Sequence, residues 1–275
     1  MRVISVFIGL FFCGSVMGQY YYNDILATKQ SQSQYQLLRA NKVKKIVATS
    51  YEDDRTPTEG FNLTQELSND GKKLVTSTSN ISGKTTETTS FFEKGKLMST
   101  QSYSNGIENK MEYGYDANGS INLFTLTTLD TAMNYHSVET REWHLNASGH
   151  YTDIIKIKNG IDTSMASLIY DEEGNLVEEH WKKKNKEIET YYYYYNKAHL
   201  LTDIVRYNTR LKKLIPDYQY EYDEVGKPIQ MTQLAANGKY FIWKYGYNDK
   251  GLKISETCRD NKKILVGNIE YRYEF

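Results

Sequence analysis

The segment Tyr170-Asp171-Glu172-Glu173-Gly174-Asn175-Leu176 joins an aromatic residue, an acidic turn and a glycine to a new apolar run, and its pattern returns along most of the chain. Turn positions follow at Gly71, Gly95, Gly119, Gly149, Gly174, His199, Gly226 and Gly251. The intervals between them are 24, 24, 30, 25, 25, 27 and 25 residues. A period of this kind marks a repeated structural unit. Four residues before each turn stand Leu67, Phe91, Tyr115, Leu145, Tyr170, Tyr195, Tyr222 and Tyr247. Two residues earlier stand Gln65, Thr89, Tyr113, Trp143, Leu168, Tyr193, Tyr220 and Tyr245, and that spacing puts both series on one face of a strand.

Midway through the units a second turn recurs, as Ser82-Gly83, Asn105-Gly106, Asn159-Gly160 and Asn237-Gly238. Asn-Gly between alternating runs is a strong hairpin signal. Longer segments near Asp130 and Arg210 account for the two long units. Each unit therefore reads as strand, turn, strand, turn, and eight units predict an all-β antiparallel meander of about sixteen strands. In Tyr218, Tyr220 and Tyr222 against Gln219, Glu221 and Asp223, one face is aromatic and the other polar. So many twisted strands do not stay flat, and the expectation is a curled or solenoid-like sheet with the aromatic face inside.

Composition agrees. Tyr occurs 25 times and Pro 3 times in 275 residues, and Tyr suits a half-buried pleated surface. Basic and acidic residues balance at 34 each, which argues against a nucleic-acid partner.

The N-terminal region differs from the rest. Arg2 followed by the apolar run Val3 to Met17, with Val16 and Gly18 at the −3 and −1 positions, predicts a signal peptide over residues 1–18 and a mature start at Gln19. A lipid anchor on Cys13 is disfavoured by Phe12, where a small residue is required. No later stretch is apolar enough to span a membrane. With the leader removed only Cys258 remains, so no internal disulfide is expected. Residues 19–60 read as a cap, with a short helix around Ile25, Leu26, Tyr35, Leu37 and Leu38 followed by a strand over Lys42 to Glu52. Residues 61–275 form the repeat domain.

Tyr115-Asp116-Ala117-Asn118-Gly119, Tyr170-Asp171-Glu172-Glu173-Gly174 and Tyr222-Asp223-Glu224-Val225-Gly226 resemble the YD repeat of the Rhs family. That resemblance covers about residues 61–275 and implies long, curled antiparallel sheets. The large members wrap such sheets around a toxin; this chain is far shorter, and no toxin payload is expected after Phe275.

No motif here carries catalysis. His136, His144, His150, His180 and His199 lack the spacing of metal ligands, and no metal or other cofactor is expected. Asp70, Asp116, Asp171, Asp223 and Asp249 recur with the turns, which assigns them to turn capping rather than to a glycosidase pair. Cys258 lacks a local His signature, and no Gly-x-Ser-x-Gly elbow occurs. The sharpest candidate is aromatic: in Tyr191 to Tyr195, Tyr192 and Tyr194 leave the inner series, and with Trp181 they form a possible surface for a glycan or an envelope protein. The expectation is an exported, non-enzymatic β-repeat protein, a binding or scaffold module of the bacterial envelope, in the periplasm, at the outer surface or secreted. The alternatives are a carbohydrate-active hydrolase and an immunity or accessory partner of a secreted toxin.

Overall fold

The computed structural model describes residues 20–80, 82–208, 212–235 and 238–275. The expected leader, its cleavage site and Cys13 lie outside the described residues. The described residues open with a π-helical segment, Tyr21–Leu26, that runs into α1, Ala27–Ala40. Eighteen strands follow: β1 Lys45–Tyr51, β2 Asn62–Leu67, β3 Lys73–Ser79, β4 Thr85–Glu93, β5 Lys96–Ser104, β6 Ile107–Tyr115, β7 Ile121–Asp130, β8 Tyr135–Leu145 and β9 Tyr151–Lys158, then β10 Asp162–Tyr170, β11 Leu176–Lys183, β12 Lys186–Tyr195, β13 Leu201–Asn208, β14 Lys213–Tyr222, β15 Pro228–Leu234, β16 Tyr240–Tyr247, β17 Lys253–Asp260 and β18 Leu265–Glu274. Each strand pairs antiparallel with the next, and β1 pairs with both β2 and β18.

That last pairing corrects the expected architecture. The molecule is a closed eighteen-stranded barrel, not an open or solenoid-like meander of about sixteen. Eight units supply β2 to β17. The remaining two strands, β1 and β18, join the ends of the sheet. The strand assigned to a cap is a stave of the wall: Ile46, Ala48 and Ser50 face inward and are buried, while Val47 and Arg272 pair across the seam. Closure removes the unpaired edges that an open sheet would expose.

The repeat has a clear physical logic. In Asp171-Glu172-Glu173-Gly174, the Asp carboxylate accepts from the backbone N–H groups of Glu173 and Asn175, and Gly174 supplies a positive φ of 83°. At His199, which stands where glycine recurs elsewhere, φ is 56°. Just before most of these turns the strand register slips by one residue, as between Ile169 and Tyr170, Tyr194 and Tyr195, and Glu221 and Tyr222. The Tyr at the slip then reaches back one unit. Its hydroxyl donates to a backbone carbonyl: Tyr115 to Leu97 at 2.7 Å, Tyr195 to Leu176 at 2.9 Å, Tyr222 to Leu201 at 2.6 Å and Tyr247 to Pro228 at 2.9 Å; Tyr273 of β18, where the register does not slip, donates likewise to Lys253 at 2.6 Å. The residue after the turn glycine covers the next ring, as Lys96 does over Tyr115, His150 over Tyr170 and Lys227 over Tyr247. Units are thus tied to their neighbours by side chains as well as by the ladder.

Helix and wall share one core. Ile25, Tyr22, Trp143, Ile154, Trp181, Tyr191, Tyr193 and Ile204 form its largest cluster, and Leu38 and Tyr35 centre two others with Ile46 and Phe92. The helix therefore occupies the lumen. On outward positions of the wall Lys110 pairs with Glu112 at 2.8 Å and Lys45 with Glu66 at 2.7 Å, and Glu142, Glu270 and Arg272 also point out.

Candidate functional site

Two places concentrate chemistry, the contact between helix and lumen and the outer aromatic strip. The first begins at the helix N-terminus, whose free N–H groups have no local side-chain cap. Glu179 of β11 supplies the cap from across the barrel. Its carboxylate accepts from the backbone N–H of Tyr20 at 3.0 Å and of Tyr21 at 3.2 Å, and also from Trp181 Nε1 and the Tyr193 hydroxyl, both at 2.5 Å. A negative charge at a helix N-terminus is favourable. Burial raises the Glu179 carboxyl above its ordinary range, against the pull of these donors.

One turn on, Asp24 pairs with Arg141 of β8 and accepts from Trp143 Nε1 at 3.2 Å. Glu139 holds the other side of the guanidinium at 2.9 Å. Burial pushes the Asp24 carboxyl up to about 6, opposed by Arg141 and Trp143. Tyr20 lies beneath Arg141 and Lys156, and its hydroxyl accepts from Lys156 Nζ at 2.7 Å. Tyr22 shares a hydrogen bond of 2.5 Å with Tyr220 and stacks on Tyr218. At the other end of the helix Tyr35 stacks on Phe92, ring centroids 3.8 Å apart, and donates to the Gly71 carbonyl. Elsewhere in the lumen Arg206 pairs with Asp217 at 3.1 Å, and Glu256 contacts Lys253 and Tyr271. The buried carboxylates thus fasten the plug and wall.

The aromatic candidates do not stay together. Trp181 is 2% exposed and faces the lumen, where it packs on Tyr20 with centroids 4.7 Å apart. It leaves the proposed surface set. Tyr194 is 44% exposed on the outer wall, and Tyr192 beside it is half-buried against Val205. Pro216 continues that row on β14, and Tyr207 and Leu214 form an adjacent exposed pair. Sequence reasoning missed the helix cap, although Glu179-x-Trp181 beside Tyr191-x-Tyr193 was its visible signal.

No family model matches the chain. No curated protein matches it either. Some solved structures are similar to it. A porin-like protein from Bacteroides uniformis is 13% identical with a TM-score of 0.43, and the match covers 84% of this chain and 96% of that one. The TcdB2-TccC3-TEV structure is 15% identical with a TM-score of 0.36, over 78% of this chain but 12% of the other. The Photorhabdus luminescens Tc holotoxin pore is 12% identical with a TM-score of 0.20, over 85% of this chain and 17% of the other. Among the described residues no helix is long and apolar enough to cross a membrane, and no group of His, Cys, Asp and Glu is arranged to hold a metal ion.

Proposed function

We propose that the chain is an exported, non-enzymatic binding or scaffold barrel of the bacterial envelope, presenting Tyr192 and Tyr194 to a glycan or an envelope protein. The lumen plug carries the reading. A helix fastened through Asp24 and Glu179 fills the space in which a β-barrel would otherwise place a substrate or a channel. Two of the buried carboxylates are committed to the plug: Glu179 to four donors, Asp24 to Arg141 and Trp143. On the outer wall, Tyr194 offers a ring fixed on a paired strand, the kind of platform on which a sugar ring stacks.

The reading is tested with the full chain expressed behind its own leader. Intact mass should place the exported protein's first residue at Gln19. Glycan-array and envelope-extract binding should fall about tenfold in Tyr192→Ala/Tyr194→Ala, with thermal stability retained. Retention of the leader in the cytoplasm overturns the exported part, and binding indifferent to both tyrosines overturns the surface. Turnover of a polysaccharide by purified protein would put the hydrolase reading in its place.

A further inference from the structure

The net charge of zero hides an uneven distribution. Alternate hairpins reach opposite ends of the barrel, and the end without the YD turns collects the connections β9–β10, β11–β12, β13–β14, β15–β16 and β17–β18. Lys184, Lys186, Lys212, Lys213, Lys262 and Lys263 lie at the tips of three of these and are all exposed. The acids of the same arc are engaged locally. Asp162 pairs with Lys183 at 2.6 Å, Glu187 accepts from Thr190, and Asp260 caps its own turn through the N–H groups of Lys262 and Ile264. Glu52, Asp53, Asp54 and Glu59 sit in the β1–β2 loop of this end, so the basic arc is a sector rather than a full ring.

A backbone observation adds to this. Lys184, Lys212 and Lys263 have φ values of 49°, 50° and 63°. Other hairpins of this end fill the left-handed position with Gly83, Gly106, Asn134 or Gly238. Lysine is a costly choice there, as it is for Lys94 with a φ of 50° at the opposite end. Beside the arc, two hairpin tips project apolar side chains into water: Met133 at 80% exposure and Ile161 at 88%. Tyr240 stands at the start of β16 on the same rim. Exposed aliphatic tips flanked by exposed lysines and a tyrosine are what a bilayer interface selects: the apolar groups enter the acyl boundary while ammonium groups meet headgroup phosphates. A nucleic acid would use the lysines but leave Met133 and Ile161 without a role.

We propose that this end of the barrel docks peripherally on an anionic phospholipid surface, with the lysine tips at the headgroups and Met133 and Ile161 inserted. This deepens the envelope reading and rests on it only for the presence of a membrane; it does not use the tyrosine strip. The full chain is sedimented with vesicles of phosphatidylcholine alone and of phosphatidylcholine mixed with phosphatidylglycerol. Binding is expected only to the anionic vesicles and should weaken as salt rises. The triple variant Lys184→Gln/Lys212→Gln/Lys263→Gln should lose about fivefold per lysine. Met133→Ser/Ile161→Ser should weaken binding at low salt, where charge alone would hold the protein. Lys213→Gln/Lys262→Gln is a second probe of the arc at exposed positions with ordinary backbone, and circular dichroism confirms folding of each variant. Absence of binding to anionic vesicles, or equal binding by the triple variant, overturns the proposal. So does tighter binding to duplex DNA together with indifference to Met133→Ser/Ile161→Ser. Failure here leaves glycan binding through Tyr194 untouched, so the two readings fail separately.

Discussion

Glu179 shows how one buried residue decides the placement of an element. Its carboxylate satisfies two backbone donors of the helix and two side-chain donors of the wall. Glu179→Ala leaves all four in a dry environment, at a cost of about 3 kcal/mol or more. Urea unfolding of the variant should show that loss. Asp24 makes the pH prediction. Its folded pKa, about 6, lies above the unfolded value of 3.8. The folded state therefore binds the proton more tightly, and this contribution is fully present below about 4 and lost as pH rises through 6. Compared with Asp24→Asn, the wild type should gain unfolding free energy as pH falls from about 7.5 to about 4.5, an interval that brackets the folded pKa. A difference that shrinks on acidification would mean that Arg141 holds the carboxyl below its unfolded value. The sequence showed these carboxylates but not their partners, which lie 117 and 158 residues away along the chain. Trp181 was misplaced for a local reason. Alternation counted from Leu176 sends it outward, but the register slip opposite Tyr170 skips Val177 and reverses the parity.

At the scale of elements, the YD unit is a hairpin whose Tyr crosslinks it to the unit before. Burial pushes the Tyr115 and Tyr222 hydroxyls up to about 12, so both remain donors throughout the neutral range. Tyr195→Phe and Tyr222→Phe should each cost about 1 kcal/mol in urea unfolding, and Tyr103→Phe, on the exposed outer wall, should cost nothing measurable. Equal effects at all three positions would refute the crosslink. Strands and turns were legible because period-two alternation and Asp-x-x-Gly turns are local signals. The helix was legible as a helix over Gln19 to Asn41, but its destination was not. Ile25, Leu38 and Tyr35 read as one face of a surface cap, whereas the structure also buries Tyr22, Asp24 and Thr28 and encloses the helix in the wall. Deleting residues 19–41 would expose the aromatic lumen, strip Glu179 of its two backbone donors and leave Arg141 without Asp24. The variant should aggregate and bind a hydrophobic dye, as judged by size exclusion and fluorescence. A soluble monomer with unchanged strand content would show that the plug is dispensable.

At the scale of the whole molecule, closure is the property that sequence periodicity leaves open. Repeats specify which strand follows which, and say nothing about whether the last meets the first. That depends on accumulated twist and strand number, and on a strand outside the repeat, β1, with an inward face suited to the seam. A covalent test follows from the register. Val47 of β1 and Arg272 of β18 are directly opposite on the outer wall, and antiparallel neighbours stand about 4.5–5.5 Å apart between Cα atoms. That separation lies within the range of about 4.4–6.8 Å that a disulfide spans. In Val47→Cys/Arg272→Cys, mild oxidation should form an intramolecular bond between residues 225 apart, seen as a shift in non-reducing electrophoresis that reductant reverses. Native Cys258 is buried in the lumen and should not compete. The pairing Val47→Cys with Glu270→Cys, offset by one position on the same face, should oxidise more slowly. An open sheet, with β1 and β18 at opposite edges, would give neither bond; its signature would be persistent free thiols or intermolecular dimers.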